Sequence, residues 1–418
     1  MHTLGYGDAI PAPAIRANVG DELAVSVANR LDHPTSVHWH GLTLRNDMDG
    51  AEPATPNINA GHDFTYRFSV PQAGTYWAHP HTGLDADRGL YVPVIVDDPG
   101  EAGRYDAEWI VVLDDWTDGV GNSPQDIYQG LHQGMSGMGH MGMGGVGSTG
   151  LLGGDAGDVT YPYYLVNGRI PAAPTVFTAK PGQKIRIRFV NAGSDTAFRV
   201  ALAGHSMTVT HTDGYPVVPR EVDALLMGMG ERYDVTVTAG SGVFPLVAMA
   251  EGKNALGRAL LSTGSGTAPD PDFMAPELTR RVGTVDMFNS TPEAGLAFGG
   301  VDVQLSAELT GGMMSYDWAI NGRAFPDSRS LTITQGQRAI LTFTNHTMMW
   351  HPMHLHGHTF QMLDAGGRLG ARKDTTIVLP MRTVSVALVA DNPGTWMMHC
   401  HNTYHQEAGM MTSLDYTT

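Results

Sequence analysis

The sequence predicts an all-β chain built as three consecutive Greek-key β-sandwiches, and three observations lead there. Glycine (52) and proline (25) are abundant and only 16% of the 418 residues are charged, a balance that favours short strands and turns over helices. One local plan recurs three times: a glycine, an alternating strand, an asparagine, then a loop rich in His or Gly. A closing strand of the first unit returns almost position for position in the last. A chain of this length admits two to four domains, and the repeats select three.

The first unit is expected over residues 1–100. It carries GDELAVSVANRL from Gly20, then His38-Trp39-His40-Gly41, then the closing strand Gly74-Thr75-Tyr76-Trp77-Ala78-His79-Pro80-His81. The DDPGEAG stretch from Asp97 reads as a linker. The second unit, 105–265, carries GQKIRIRFVNAG from Gly182. Lys184 to Phe189 alternates polar and apolar strictly, which predicts a strand with one face buried. Its closing-strand counterpart, VFPLVAMAEG from Val243, has neither histidine nor cysteine. Residues 130–154 form a low-complexity Gly/Met segment, expected as an exposed loop. The GSGTAPDPD stretch from Gly264 is the second linker. The third unit, 275–418, carries GQRAILTFTNHT from Gly336, His354-Leu355-His356-Gly357, and the closing strand Gly394-Thr395-Trp396-Met397-Met398-His399-Cys400-His401.

Composition also bounds function. A net charge of −17 argues against a nucleic-acid-binding surface and attracts cations. No run approaches eighteen apolar residues, so no membrane span is expected. Met1 is followed at once by polar sequence, so no signal peptide is expected; the chain reads as cytoplasmic or as a mature form with an added methionine.

The chemistry concentrates in HCHNTYHQEAGMM, from His399 to Met411. Cys400 is the only cysteine, which leaves packing, nucleophilic chemistry or a metal. An isolated cysteine would read as a small core residue. Here histidine flanks it on both sides, and His405 and Met410 follow. One thiolate, imidazoles and a thioether form the ligand set of a blue-copper centre, and His351 of WHPMHLHGH supplies the second histidine. Met411 is the rival axial residue and reads as core.

Each outer unit also carries two His-x-His pairs: 38/40 with 79/81, and 354/356 with 399/401. In a strand, residues i and i+2 share a face, so each pair aims two imidazoles one way. Eight neutral imidazoles suit copper, are too many for one ion, and fit a cluster of three between the outer units. Pro80 stands where Cys400 stands, so the first unit has no thiolate centre of its own. The covalent neighbours of Cys400 belong to the cluster, which offers an electron a bonded route.

The motifs HWHG, HPH, HPMHLHGH and HCHNTYHQEAGMM resemble the four copper-binding signatures of three-domain multicopper oxidases, including laccases and bacterial copper-resistance oxidases. The resemblance runs through the whole chain. It implies cupredoxin-like sandwiches and four coppers per chain. His351, Cys400, His405 and axial Met410 would hold type 1 copper, and His38 and His354 type 2. His40, His79 and His401 would hold one type 3 copper, and His81, His356 and His399 the other. The implied reaction couples one-electron oxidations to reduction of O2 to two waters. Asp49, nine residues beyond His40, would be a proton-donating carboxylate; its alternative is a turn residue in Asp-Gly. Glu407 is the second candidate, although some laccase-like relatives place a carboxylate where this chain has Gln406. Export to the periplasm or beyond is implied by resemblance alone, and a monomer is the default.

Met135, Met138, His140, Met141 and Met143 lie among glycines that support neither helix nor strand interior. Soft thioethers suit Cu(I), whereas a plain flexible linker is the alternative. The expected activity is therefore oxidation of Cu(I) in copper tolerance, together with phenols. A copper-sequestering protein without catalysis is the competing class, but storage does not require eight converging imidazoles. A copper nitrite reductase would lack the type 3 pair. The remaining histidines, including His205 and His358, read as structural or solvated.

Overall fold

The computed structural model describes residues 3–101, 103–133 and 150–417, and their strands fall into three successive groups. In the first, Ile15–Asn18, Val92–Asp97, Gly74–His79 and His38–His40 form a four-stranded sheet, and Glu22–Ala28 pairs with Asp63–Ser69. The second group has two six-stranded sheets. One is centred on Arg232–Thr238, Lys184–Asn191 and Ala107–Trp116, the other on Phe198–Leu202, Val243–Ala250 and Ala255–Ser262. The third pairs a six-stranded sheet around Arg338–Asn345 and Thr383–Val389 with a five-stranded one. That five-stranded sheet runs Leu331–Thr334, Met411–Thr417, Thr395–Cys400, His351–Leu355, Thr375–Val378. All three repeat strands form as expected.

Arg338–Asn345 alternates buried and half-buried residues, as a strand with one core-facing side should. Lys184–Asn191 departs from the expectation of one buried face, because both its faces are buried. Its polar side carries Arg186 and Arg188, each ion-paired with Asp234 on the neighbouring strand. Arg188 also donates to Thr75 Oγ1 of the first group at 2.9 Å. Buried charges persist only when paired and hydrogen-bonded, so these pairs let a polar face serve as an interface between units.

Two further expectations shift. Val282–Gly283 pairs with Ala224–Met227 of the second group, and Ala275 and Leu278 pack there too, so residues 275–283 complete the middle unit. The segment expected as loop from residue 130 begins inside a helix, Pro124–His132. Ser123 and Asp126 form a capping box at its start, and proline occupies its first turn. Met135, Met138, His140, Met141 and Met143 lie outside the described residues. Among the described residues no helix is long and apolar enough to cross a membrane.

One apolar core runs through the second and third groups, from Val111 and Phe189 to Phe343, Met398 and Cys400, while the first has its own around Trp39, Tyr66 and Val94.

Candidate metal centre

Two ladders set the site. His38–His40 pairs antiparallel with Gly74–His79, placing His38 opposite His79. His351–Leu355 pairs antiparallel with Thr395–Cys400, placing His354 opposite His399. The same register in two sandwiches turns four His-x-His pairs toward one interface. Seven of these eight histidines are buried; His81 is half-buried.

The ring nitrogens gather in three groups. His38 Nε2 lies 3.5 Å from His354 Nε2. His401 Nε2 lies 3.2 Å from His40 Nδ1 and 3.4 Å from His79 Nε2. His356 Nε2 lies 3.0 Å from His399 Nε2, and His81 completes that group. Two donors on one ion at about 2.0 Å each stand roughly 3.3 Å apart, so these separations suit shared cations. In most rings the other nitrogen is tied outward, which fixes the tautomer and aims a lone pair inward. His38 Nδ1 donates to the Asp49 carbonyl (2.9 Å), and His356 Nδ1 donates to Asp49 Oδ2 (2.8 Å). His354 Nδ1 donates to the Asp374 carbonyl (2.9 Å), and His40 Nε2 to Asp374 Oδ1 (3.0 Å). His79 and His399 each donate to the carbonyl of the following residue, at 3.1 and 3.0 Å. The middle unit closes the cluster from one side. Gly230 has φ +84°, and a Cβ there would stand 2.8 Å from His401 Cδ2, so glycine is required.

A separate pocket surrounds Cys400, which is fully buried. Its Sγ lies 3.6 Å from His351 Nδ1 and 3.7 Å from His405 Nδ1, and the two Nδ1 atoms are 3.1 Å apart. The helix Thr403–Glu407 carries His405, and the Asn402 side chain caps its first turn. Outward, His351 Nε2 meets Thr347 Oγ1 at 2.9 Å, and His405 Nε2 meets Asp158 Oδ2 at 3.0 Å. Met410 is fully buried; its amide donates to the His405 carbonyl (2.9 Å) and its carbonyl accepts from Cys400 (3.0 Å). Met411 is half-buried in the last strand, opposite His399. Trp318 packs on His405 with ring centroids 4.2 Å apart.

Burial, and then repulsion between imidazoles, holds His40, His79, His81, His356, His399 and His401 well below the usual histidine range. They are neutral at pH 7, the form that binds metal. Burial alone would raise Asp374, but the Arg232 guanidinium and His40 hold it well below the usual carboxylate range. Arg232 grips both its oxygens, at 2.7 and 2.6 Å.

The structure brings all ten expected histidines and Cys400 into these two pockets, with Met410 buried and bonded through its backbone to Cys400 and His405. Asp49 lies against the cluster, not merely in a turn. Glu407 does not: it is exposed at the end of its helix, and among the described residues its carboxylate makes no hydrogen bond. Its one-residue offset from Gln406 turns it outward along the helix. His205 and His358 are satisfied structurally, by Ala203 and Gly240 and by His356 and Tyr416. Sequence reasoning missed Asp374, Arg232, Asp158 and Thr347. None stands in a ligand motif, and only the excess of charge in the otherwise apolar runs GERYDV and ARKDTT hinted at two of them.

Multicopper oxidase family profiles match residues 1–101, 107–266 and 301–418. The chain is 64% identical to multicopper oxidase MmcO of Mycobacterium tuberculosis, over its whole length and 83% of that protein. It is 28% identical to copper resistance protein A of Escherichia coli, covering 96% of this chain and 87% of the other. Among solved structures, a multicopper oxidase from Pseudomonas thermotolerans matches with TM-score 0.75 at 26% identity, covering 99% and 94%. A laccase from Botrytis aclada matches with TM-score 0.80 at 25% identity, covering 99% and 83%. Two histidine-lined pockets joined at one cysteine, on strands repeated in the outer sandwiches, and matches along the whole chain make it a member of the multicopper oxidase family, an oxidoreductase with four coppers.

Proposed function

We propose that this oxidase takes electrons from Cu(I) and phenols at the Cys400 pocket and spends them on O2 at the histidine cluster, in the service of copper tolerance. The donor chemistry supports copper as the resident metal: neutral imidazoles, one thiol and a buried thioether, with lone pairs facing each other instead of hydrogen-bond partners. His81 Nε2 is buried without a partner, as a ligand awaiting an ion would be. In this reading His351, Cys400, His405 and Met410 would hold type 1 copper, and His38 and His354 type 2. His40, His79 and His401 would hold one type 3 copper, and His81, His356 and His399 the other. When bound, copper supplies one-electron redox chemistry at the first pocket and O2 reduction at the second.

The chain's own residues do the rest. Peptide bonds from Cys400 to His399 and His401 join the two pockets covalently. Asp49 and Asp374 orient four cluster imidazoles and exclude the wrong tautomers. Trp318 and the surrounding core keep water off the thiol side.

The reducing substrate docks in a cleft of about 880 Å³ lined by Asp126, Gln129, Gln133, Asp158 and Tyr161. Asp158 bonds His405 and the Tyr316 hydroxyl through Oδ2, and its buried Oδ1 is unpartnered. That oxygen can accept a phenol O–H or attract a cation. Exposed Met348 (75%), Met381 (60%) and Met314 (96%) favour the cuprous donor. Met381 is hydrogen-bonded to Thr347, beside His351. The relatives named for copper resistance support the physiological role, and export and a monomeric state belong to the same reading.

The observation that carries the proposal is the His405–Asp158 contact at the floor of that cleft. Steady-state O2 uptake with Cu(I), Fe(II) and a phenol tests it, on copper-loaded protein with and without residues 134–145. Cu(I) turnover should fall more than phenol turnover in the deletion. Equal losses would remove the methionine segment from the account, and no uptake with any donor would leave copper sequestration.

A further inference from the structure

Reduction of O2 to two waters takes up four electrons from the reducing substrate and four protons from solvent. Those protons must reach a buried cluster, in which even His81 Nε2 is covered. His81 is half-buried, and the residues after it, Thr82 and Gly83, line a cleft of about 410 Å³ together with His33, Asp85, Arg88 and Gln125. The residue following the last histidine ligand, His405, is Gln406, which has no proton to give at neutral pH.

We propose that His33 and Asp85 form a proton-loading pair that charges this cleft with protons and so feeds oxygen reduction at the His81 side of the cluster. The proposal rests on the oxygen-reducing reading above. Asp85 Oδ2 accepts from His33 Nε2 at 2.9 Å and from the Thr82 hydroxyl at 3.5 Å. The other His33 ring nitrogen faces Asp32 at 2.8 Å. One side of His33 is open to solvent while Asp85 is nearly covered, 38% against 11% side-chain exposure, so the pair spans from water to the cleft wall. The hydrogen bonds to Asp32 and Asp85 raise the His33 pKa from its ordinary value, so the ring is more often protonated near neutral pH. Other titratable groups facing the pair are Asp32 on its loop, Arg88 on the Asp85 turn, Tyr6 with its buried hydroxyl, and Glu407 at the end of the helix carrying His405. Arg88 Nε lies 4.0 Å from Asp118. A proton leaves protonated His33 for Asp85, Asp85 passes it to water in the cleft, and His33 is recharged from solvent. His33 and Asp85 are positioning residues here, acting through that water.

The first test needs no copper. NMR titration of the copper-free chain should place the His33 midpoint above the usual histidine value, and D85N should lower it. The second is reoxidation of fully reduced, copper-loaded protein by O2, followed across pH. D85N and H33Q should slow it about tenfold or more above pH 7, and D85E should recover most of the rate. Anaerobic reduction of the blue centre by a phenol, in the same samples, controls for misfolding. Wild-type reoxidation rates and pH profile in both D85N and H33Q overturn the proposal, as does an ordinary His33 midpoint. Absence of O2 reduction by wild-type protein overturns the oxidase reading itself, and the proposal with it.

Discussion

The closing strands of the two outer sandwiches are near copies that end differently. Gly74–His79 and Thr395–Cys400 each lie against a His-x-His strand in the same register, with His38 opposite His79 and His354 opposite His399. The next residue is Pro80 in one and Cys400 in the other. Cys400 donates its amide to the Met410 carbonyl, which ties the strand to the loop bearing His405 and Met410. Proline has no amide hydrogen to give. After it the chain runs on through half-buried His81 and Thr82 to exposed Gly83 and the small cleft. One exchange therefore accompanies two fates: a buried thiol pocket in the third unit, an opening to solvent in the first.

The largest test of that contrast removes the sulfur. C400S should abolish the blue absorption and lower O2 uptake by at least about 10³-fold, while the eight cluster histidines still bind copper. A blue C400S would end the assignment. The converse variant, P80C, should keep one blue centre per chain, because no second His405–Met410 loop stands behind it. A doubled blue absorbance per chain would show that the thiol alone makes the site.

Next in size is the contrast between the two carboxylates that orient the cluster. D374N leaves Arg232 buried and half-unpaired, so it should destabilise the copper-free protein by about 3–5 kcal/mol. Asp49 faces no cation among the described residues, and D49N should cost only about 1–3 kcal/mol. Urea unfolding of both variants measures the difference, and an equal cost would mean that the Arg232 clamp contributes little. T347V should act on the thiolate pocket alone. It loses the hydrogen bond to His351 Nε2 and should weaken copper there about 10-fold, with cluster copper retained, read from blue absorbance against total copper.

The smallest effect concerns Asp155, which accepts from the Trp350 amide just before His351. Burial raises its pKa to about 6. The folded chain then holds that proton more tightly than the unfolded chain, so between about pH 4 and pH 6 stability falls as pH rises. Wild type should lose on the order of 1–2 kcal/mol relative to D155N across that window. Parallel stability curves for the two proteins would remove Asp155 as the source.

Much of this was legible in the residues. The strand repeats and the four His-x-His pairs follow from spacing that encodes a face, and the candidate thiol, imidazole and thioether set of HCHNTYHQEAGMM from its donor chemistry. Partners of those ligands were not legible, because Asp374 and Asp158 come from strands and loops far away in sequence, brought in only by packing. Arg186 and Arg188 show the same limit. Their alternation reads as a solvated side, and only the first sandwich lying on it makes that side interior. Glu407 failed for a local reason, since one helical step turns a side chain by about 100°.

The middle sandwich binds no metal in this account, yet it is the least interchangeable of the three. Arg188 holds Thr75 of the first unit, and Arg232 holds Asp374 of the third. A homologous sandwich grafted into its place would have to reproduce both grips at once, or leave the Thr75 hydroxyl without its donor and the Asp374 carboxylate bare in the interior. Recombination between members of such a lineage should therefore tolerate crossovers inside the outer units more readily than exchange of the central one. The unit without redox chemistry acts as the molecule's keystone.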